Sequence, residues 1–437
     1  MDSLTVVKDF LKKYQLDYEE INMEEQCRIF LAEMEQGLAG SGSLEMIPTF
    51  IEVGNEIPLN QRVIVLDAGG TNFRVATVYF DAEQKPVIED FKKYSMPGIE
   101  RELDKTTFFA TMAEYVKDVI DKSDRIGFCF SYPTAMNPNK DGKVIRFSKE
   151  VKAKEVEGEL IGENLKKALA DLGFFCDSKK IVILNDTVAT LVGGQVASRG
   201  RAFDSYIGFI LGTGTNCCYI EKNANIVKNQ QLDPDKSQII NVESGGYRKA
   251  PQSLIDLEYD RSTVNPGMAT FEKMISGRYL GDICTLVIRH AATDGIFTSN
   301  VSERLKTITV NTIDINNYIC NPFNKANDNP VTKALSEGNS EDYERMYHLI
   351  DRVVERAAKL VAISLAAMVL KSGKGQNPCY PVCITAEGTT FHQFKGLRAK
   401  TEYYLKQYMV EEKQRYYEMV SVENATLIGA AIAGLTN

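Results

Sequence analysis

One short segment near position 70 constrains this chain most, because it joins two apolar runs through a turn that few residue types can form. The first run leads into Asp67, the turn Gly69-Gly70-Thr71-Asn72 follows, and a β-branched run leads away. Adjacent glycines accept positive φ angles and let backbone N–H groups approach an anion closely. The pattern predicts a β-hairpin over residues 62–81 whose tip suits a phosphate group.

The side chains around this turn also suit a phosphorylated ligand. Thr71 supplies a hydroxyl, Asn72 an amide and Arg74 a permanent positive charge. Asp67 supplies an oxygen that suits hydrated Mg²⁺, so we expect a metal contact through water. A tight hairpin turn with no ligand remains the alternative for this segment alone.

The same plan recurs in the second half of the chain. An apolar run over residues 206–211 enters the turn Gly212-Thr213-Gly214-Thr215-Asn216, and another apolar run leaves it. Two matching tips indicate a duplicated unit with one phosphate loop in each half. The repetition favours a nucleotide clamp over two unrelated turns.

Composition excludes several classes of protein. The 437 residues allow two domains, and the net charge of −8 without a basic run argues against nucleic-acid and membrane partners. The N-terminus is amphipathic rather than a secretory signal, and the longest apolar run, within 360–370, is too short to span a bilayer. Nine scattered cysteines indicate reduced thiols and no zinc site, so we expect a cytoplasmic protein.

Strands alternate with helices along the chain, which predicts an α/β fold with mostly parallel sheets. A short strand is also expected at Ile145–Phe147, before Lys149. Hydrophobic periodicity predicts the remaining elements: two helices within 3–38, helices over 105–121, 160–173, 341–371 and 426–435, and strands over 125–131, 180–184 and 380–386.

Motifs spread over nearly the whole chain resemble those of the hexokinase family, in family order. The matching segments are Met46–Phe50, Leu66–Arg74, Phe130–Pro133, Ser148-Lys149, Asn185–Val188, Gly212–Asn216, Asn241–Glu243 and Asn265–Lys273. The resemblance implies a duplicated actin-like (ribonuclease H-like) ATPase fold, with small and large domains flanking a cleft. It also implies transfer of the γ-phosphoryl of ATP, with Mg²⁺, to the 6-hydroxyl of glucose, mannose or another hexose.

The same resemblance divides the chain and assigns roles. We expect a small domain at 61–186 with the helix at 425–437, and a large domain at 187–424 with the helices of 1–60. Asp186, at the end of a strand, would be the general base, although a strand-end Asp-Thr can also be a helix cap. Lys149 and Arg74 would be the other catalytic residues.

Sugar hydroxyls need paired donors and acceptors. By resemblance, the sugar-binding residues are Ser131, Ser148, Lys149, Asn185, Asp186, Asn216, Glu243 and Glu272. Glu272 could instead serve only the dipole of the helix that it begins.

The nucleotide would bind between the two turns and a corner near the C-terminus. By resemblance, the contacting residues are Asp67, Gly69, Gly70, Thr71, Asn72, Arg74, Gly212, Thr213, Gly214, Gly388, Thr389 and Thr426. Asp67 would hold Mg²⁺ through water.

Some positions depart from the family pattern. Ser244 stands where a tryptophan is common, which predicts a looser wall behind the sugar, and Ser148 replaces a threonine. Glu387-Gly388-Thr389 replaces Asp-Gly-Ser, and Ala425-Thr426 replaces Gly-Ser. Since alanine adopts a positive φ less readily than glycine, weak discrimination among purine bases is predicted.

Three functions are compatible with these features. The first is an active hexokinase, the second is a non-catalytic sugar sensor on the same fold, and the third is an actin-like filament or chaperone ATPase. Retention of Asp67, Arg74, Lys149 and Asp186 together counts against the sensor. The carboxylates expected to bind the sugar, Glu243 and Glu272, count against the filament or chaperone ATPase. The oligomeric state stays open.

Overall fold

A computed structural model describes residues 2–147, 151–197, 201–324 and 328–437. The predicted site residues Ser148 and Lys149 therefore lie outside the described residues. The strands are β1 (Ile47–Pro48), β2 (Val63–Gly69), β3 (Asn72–Phe80), β4 (Pro86–Ser95), β5 (Arg125–Phe130), β6 (Thr134–Met136), β7 (Gly142–Val144), β8 (Lys180–Leu184), β9 (Ser205–Leu211), β10 (Thr215–Lys222), β11 (Ser237–Asn241), β12 (Val382–Glu387) and β13 (Tyr417–Val420).

Helices connect and cover these strands. They are α1 (Ser3–Lys13), α2 (Met23–Leu38), α3 (Lys105–Val116), α4 (Ile161–Asp171), α5 (Asp186–Ala197), α6 (Leu254–Ser262), α7 (Thr270–Ile275), α8 (Leu280–Thr293), α9 (Ser299–Leu305), α10 (Thr312–Cys320), α11 (Pro330–Ala334), α12 (Ser340–Ser372), α13 (Thr389–Gln393), α14 (Leu397–Leu405) and α15 (Ala425–Thr436). A π-helical turn at Lys406–Glu412 continues α14. None of the helices in the described ranges is long and apolar enough to cross a membrane.

Two sheets repeat one topology. The first has the order β4-β3-β2-β5-β8, and the second has β11-β10-β9-β12-β13 with β1 added at its edge. In each of these five-strand orders, the first three strands are antiparallel to their neighbours. The third, fourth and fifth strands run parallel to one another. The duplication predicted from the two glycine turns is therefore a repeated five-stranded unit, as expected for the actin-like fold.

Each unit ends in a helix that packs on the other unit's sheet. Helix α5 follows β8 of the first sheet but lies against β9 and β12 of the second. Helix α15 follows β13 of the second sheet but lies against β2 and β5 of the first. The two helices also pack on each other, so they form a crossed pair between the sheets.

Glycines let the backbones in this crossed pair touch. A Cβ on Gly429 of α15 would lie 1.8 Å from the carbonyl oxygen of Ala189 in α5, and one on Gly193 would lie 2.5 Å from that of Ala425. A Cβ on Gly127 of β5 would likewise lie 1.8 Å from the carbonyl oxygen of Ala430. No side chain fits at these positions, so the glycines set the spacing between the two halves.

The long helix α12 organises the core of the second half. Its start is fixed by a capping box, in which Asn339 and Asp342 each accept from the other's backbone N–H, and its end by Gly373 at a φ of +67°. Helices α1, α2 and α14 pack against it. On β10, Cys217 faces this core while Cys218 faces the core between the two sheets, so the two side chains point to opposite faces.

Most predicted elements are present with shifted ends. The strand at 180–184 is confirmed, and the long helix predicted at 341–371 is α12. The helix predicted over 105–121 ends at Val116, where a 3₁₀ turn soon follows. The strand predicted at Ile145–Phe147 is wrong: β7 ends at Val144, because its partner β6 begins only at Thr134, opposite Val144.

Replacing Gly429 by alanine is expected to lower the free energy of unfolding, because the added methyl would overlap the Ala189 carbonyl. Overpacking of this kind costs about 1–3 kcal/mol, and the expected loss lies at the upper end. Equilibrium urea denaturation measures it. Gly173→Ala is the comparison, since its Cβ would meet nothing within 4 Å and only its φ of +92° opposes the change, at about 1 kcal/mol. Equal losses would contradict the account of backbone contact.

Candidate active site

The first glycine turn is held by hydrogen bonds on its inner side and is exposed on its outer side. The Tyr132 hydroxyl donates to the Gly70 carbonyl at 2.8 Å. The Met96 N–H donates to the Thr71 carbonyl at 2.9 Å. Gly70 has a φ of +51°, and a Cβ there would meet nothing within 4 Å. Gly69, Gly70, Thr71 and Asn72 therefore form an ordered tip whose outer side is free to receive an anion.

The second turn is fixed in the same way by its own half of the chain. The Gly212 carbonyl accepts from the Gly277 N–H at 2.8 Å and from the Thr390 hydroxyl at 2.9 Å. The Thr213 carbonyl accepts from the Arg278 N–H at 3.1 Å. Thr213 itself is exposed at the tip, beside the partly buried Gly214.

The corner at Gly388 lies directly against this second turn. Strands β9 and β12 run parallel, so their carboxyl ends meet at one edge of the sheet. Gly388 has a φ of +112°, and a Cβ there would lie 2.3 Å from the Leu211 carbonyl oxygen, so only glycine fits. The structure thus brings Gly388 and Thr389 together with Gly212, as the resemblance implied.

The carboxylate of Asp67 links the first turn to helix α15. It lies opposite Arg74 in the hairpin register, accepts from the Arg74 guanidinium at 2.9 Å, and accepts from the Thr426 hydroxyl at 3.3 Å. Burial raises the pKa of Asp67, and the Arg74 charge offsets part of that rise. Thr426 thus comes from the other end of the chain to join the predicted phosphate and metal residues.

One predicted feature of the nucleotide corner is wrong. Ala425 does not need a positive φ, because it is the first residue of α15, and Asn424 before it takes the left-handed conformation with a φ of +56°. Asparagine tolerates that conformation better than most residues. Ala425 is buried against Gly193 and does not face the cleft, so the reason given for weak purine discrimination does not hold.

Asp186 lies where β8 ends and α5 begins. Its neighbour Asn185 is the helix cap, since its side chain accepts from the Thr187 N–H at 2.9 Å and its carbonyl accepts from the Ala189 N–H at 2.9 Å. The Asp186 carboxylate also accepts from the Thr187 N–H, at 2.8 Å. The capping alternative therefore applies mainly to Asn185, which leaves one oxygen of Asp186 for another partner.

The surroundings of Asp186 make it a stronger base than a free carboxylate. Burial raises the pKa of the Asp186 carboxyl, and the nearby Asp67 raises it further, while Thr187 and Ser131 act in the opposite direction. Ser131 follows β5, which runs parallel to β2 and β8. Asp186 and Ser131 therefore share one edge of the first sheet with the Gly69 turn.

Three side chains of the second sheet form a polar cluster opposite Asp186. The Asn216 amide donates to Asn241 Oδ1 at 2.7 Å, and the Asn241 amide donates to Glu243 Oε1 at 2.7 Å. Glu243 has a left-handed φ of +56°, which a glutamate adopts only under constraint. Burial raises the pKa of Glu243 to about 7, and the charges of Glu45 and Asp186 also raise it.

Glu272 lies against the second turn. Its carboxylate accepts from the Thr215 N–H at 3.0 Å and lies 2.5 Å from where a Cβ on Gly214 would be. The alternative that Glu272 serves only its own helix is therefore wrong, because the carboxylate binds a distant loop. The adjacent Lys273 donates to Asp260 at 2.5 Å and to the Asn265 carbonyl at 2.9 Å, which anchors the loop before α7.

A cavity of about 10 Å³ marks where the two sets of residues meet. Asn185, Tyr132 and Thr134 line it from the first half, and Ile47 and Asn241 from the second. Ser244 is fully buried beside this region, with its N–H donating to Asn216. It lies behind Asn216, and the looser wall behind the sugar stays a prediction.

Two groups in this region were not predicted as site residues. Asn241 holds both Asn216 and Glu243, and its place two residues before Glu243 on a strand is a signal that could have been used. Glu387 accepts from the Ser421 hydroxyl at 3.2 Å and the Val422 N–H at 3.3 Å, which ties the Gly388 corner to the segment leading into α15. Only the three-dimensional structure shows that Glu387 contacts the segment leading into α15.

Known proteins resemble this chain over nearly its whole length. Two family models, both described as Hexokinase, match residues 6–196 and 206–436. The chain belongs to the hexokinase family. Hexokinase-1 of Spinacia oleracea is 30% identical over 92% of this chain and 84% of its own length. The Hexokinase-like 1 protein of Arabidopsis thaliana is 28% identical over 93% of this chain and 86% of its own.

Solved structures share this fold. A hexokinase from Schistosoma mansoni complexed with glucose matches with a TM-score of 0.79, at 21% identity, over 100% of both chains. Another hexokinase crystal structure matches with a TM-score of 0.76 over 99% of both chains. Family and fold together support a sugar kinase, and the hexokinase family implies ATP as substrate and Mg²⁺ as the usual metal.

Replacing Glu243 by glutamine is expected to flatten the pH dependence of stability between about pH 4.5 and about pH 7. Since the folded-state pKa is raised, the folded protein binds more protons than the unfolded one in this range, and the wild type loses stability as pH rises. Glutamine does not titrate. Urea denaturation without ligand at several pH values measures the difference, with Glu83→Gln in the exposed β3–β4 turn as control. Parallel curves for wild type and Glu243→Gln would contradict the raised pKa.

Proposed function

We propose that this chain is an active hexokinase that transfers the γ-phosphoryl of ATP to the 6-hydroxyl of glucose or a related hexose. One observation carries the proposal: the carboxylate of Asp186 lies near Asp67 beside the first glycine turn and near Glu243 of the Asn216–Asn241–Glu243 cluster, since the charge of Asp67 acts on Asp186 and that of Asp186 acts on Glu243. A general base, phosphate loops and hydroxyl acceptors thus meet at one cleft. That combination serves transfer to a sugar hydroxyl rather than hydrolysis.

Asp186 would remove the proton of the attacking hydroxyl. The Thr187 N–H and the helix start hold its carboxylate in one orientation, and burial, which raises its pKa, increases its basicity. The proton moves from the 6-hydroxyl oxygen to a carboxylate oxygen as the new O–P bond forms, while the bond between the γ-phosphorus and the bridging oxygen breaks and ADP leaves with that electron pair. Lys149, which resembles the family's lysine, is proposed to stabilise the charge on the transferred group.

The polar cluster would hold the sugar in position. Glu243 and Glu272 would accept hydrogen bonds from sugar hydroxyls, while Asn185 and Asn216 would donate and accept. Asn241 fixes the orientation of two of these groups through bonds of 2.7 Å. Preorganised partners lower the entropy cost of binding a small polyhydroxy ligand.

The nucleotide residues fit Mg²⁺ and a triphosphate. The open tips at Gly70 and Thr213 offer backbone N–H groups, and Arg74 offers a cation with 41% of its side chain exposed. Asp67 is a single buried carboxylate, which suits an ion held mostly by water and phosphate oxygens. Bound there, Mg²⁺ would neutralise charge on the phosphates.

The domain division follows the same proposal. Residues 61–186 with 425–437 would form the small domain, and 187–424 with 1–60 the large one. Sugar binding would draw the domains together and exclude water from the reacting phosphate.

A coupled assay for ADP release tests the proposal against the other two functions. The expected result is rapid ADP release with ATP, Mg²⁺ and glucose or mannose, and little without sugar. Sugar binding with no ADP release would identify a sensor, and sugar-independent ADP release would identify a filament or chaperone ATPase. Either result would overturn the proposal.

Asp186→Asn is expected to lower kcat by about 10²–10⁴-fold while glucose still binds, because a general base contributes a factor of that size. Glu243→Gln should mainly raise the KM for glucose, since it removes a contact made in the ground state. Steady-state kinetics and calorimetric titration with glucose separate the two effects. A kcat near that of the wild type in Asp186→Asn would remove Asp186 from the mechanism.

A further inference from the structure

Glu243 has two charged neighbours to which the proposed chemistry gives no role, Glu45 and Arg146. Glu45 immediately precedes Met46 and β1, on the side of the second sheet, and Arg146 follows β7, on the side of the first. Both side chains are exposed. Within the described ranges, neither forms an ion pair or a side-chain hydrogen bond.

Glu45 lies beside Glu243 because of strand register. In the antiparallel pair of β1 and β11, Ile47 is opposite Asn241, and the Met46 N–H donates to the Val242 carbonyl at 3.3 Å. Glu45 and Glu243 are the residues just beyond this hydrogen bond, one on each segment. Two negative charges this close in sequence to one backbone contact repel each other.

Arg146 lies on the other side of the interface between the two sheets. The Ile145 N–H donates to the Pro133 carbonyl at 2.9 Å, so Arg146 follows a residue that is bonded to the neighbour of Tyr132. Tyr132 lines the cavity that Ile47 and Asn241 line from the opposite side. Arg146 therefore lies in the segment next to this cavity, and its charge acts on Glu243.

The charges act on Glu243 as this placement requires. Besides burial, the largest cause, Glu45 and Asp186 raise the pKa of Glu243, whereas the Asn241 amide and the Arg146 charge lower it. Lys228 also faces Glu45, but its ammonium donates to the backbone carbonyl of Glu45 at 2.5 Å. The charges of Glu45 and Arg146 thus act in opposite directions on the carboxylate of Glu243.

We propose that Glu45 and Arg146 are positioning residues that control sugar affinity through the charge on Glu243. Arg146 supplies a positive charge that favours the ionised form of Glu243. Glu45 supplies a negative charge that disfavours it. The inference rests on the proposed role of Glu243 in sugar binding. An ionised carboxylate accepts hydrogen bonds from hydroxyls more strongly than a neutral one, so glucose affinity rises with pH as Glu243 ionises.

Calorimetric titration of the full-length chain with glucose over a range of pH tests this inference. Glu45→Gln should move the rise in affinity to lower pH, and Arg146→Gln should move it to higher pH. A displacement of half to one pH unit changes affinity by about threefold to tenfold below the midpoint, in opposite directions for the two variants. The double variant should lie near the wild type, and added salt should shrink all the differences.

Arg62→Gln and Glu89→Gln are matched controls, because they remove the same charges from an exposed ion pair of 3.0 Å on the first sheet. These controls should leave the pH curve in place. Identical curves for Glu45→Gln, Arg146→Gln and the controls would overturn the inference while leaving the proposed function intact. A lower kcat with unaltered glucose affinity in Arg146→Gln would also overturn it, by assigning Arg146 to phosphoryl transfer. Absence of glucose binding by the wild type would instead overturn the proposed function, and the inference with it.

Discussion

Backbone contact between α5 and α15 is the constraint on which the rest of this structure depends. Each helix begins at the edge of one sheet and packs on the other, and Gly193 and Gly429 let the two come within van der Waals contact of backbone atoms. The starts of these helices carry Asp186 and Thr426. The packing of two glycine-rich helices therefore decides how far Asp186, the proposed base, lies from Asp67 and the proposed phosphate loops.

The site that results concentrates negative charge. Asp67, Asp186 and Glu243 are each buried enough that their pKa values rise, and each acts on the next. Isolated buried carboxylates are unfavourable, and Arg74, the Thr187 N–H and Asn241 compensate only in part. Ligands that bring hydroxyl donors and cations would relieve this repulsion, so binding would stabilise the fold as well as serve the reaction.

Local chemistry made much of this structure predictable from the sequence. The two glycine turns, the strand at 180–184 and the long helix follow from turn residues and hydrophobic period, which act within a few residues. What failed depends on distant contacts. The left-handed residue before α15 is Asn424 rather than Ala425, because Ala425 already lies in the helix and packs against Gly193 of α5.

The exchange of helices between the two sheets has a consequence for how the chain is made. The first sheet is complete at Leu184, yet the helix that covers its inner face begins at Ala425. Roughly 240 residues separate the two, which a ribosome adds in on the order of ten to fifty seconds. Throughout that interval the apolar inner face of the first sheet lacks its native cover, and it is then open to wrong partners or to a chaperone. Because synthesis proceeds from the N-terminus, the first sheet is made long before the C-terminal helix that completes its core.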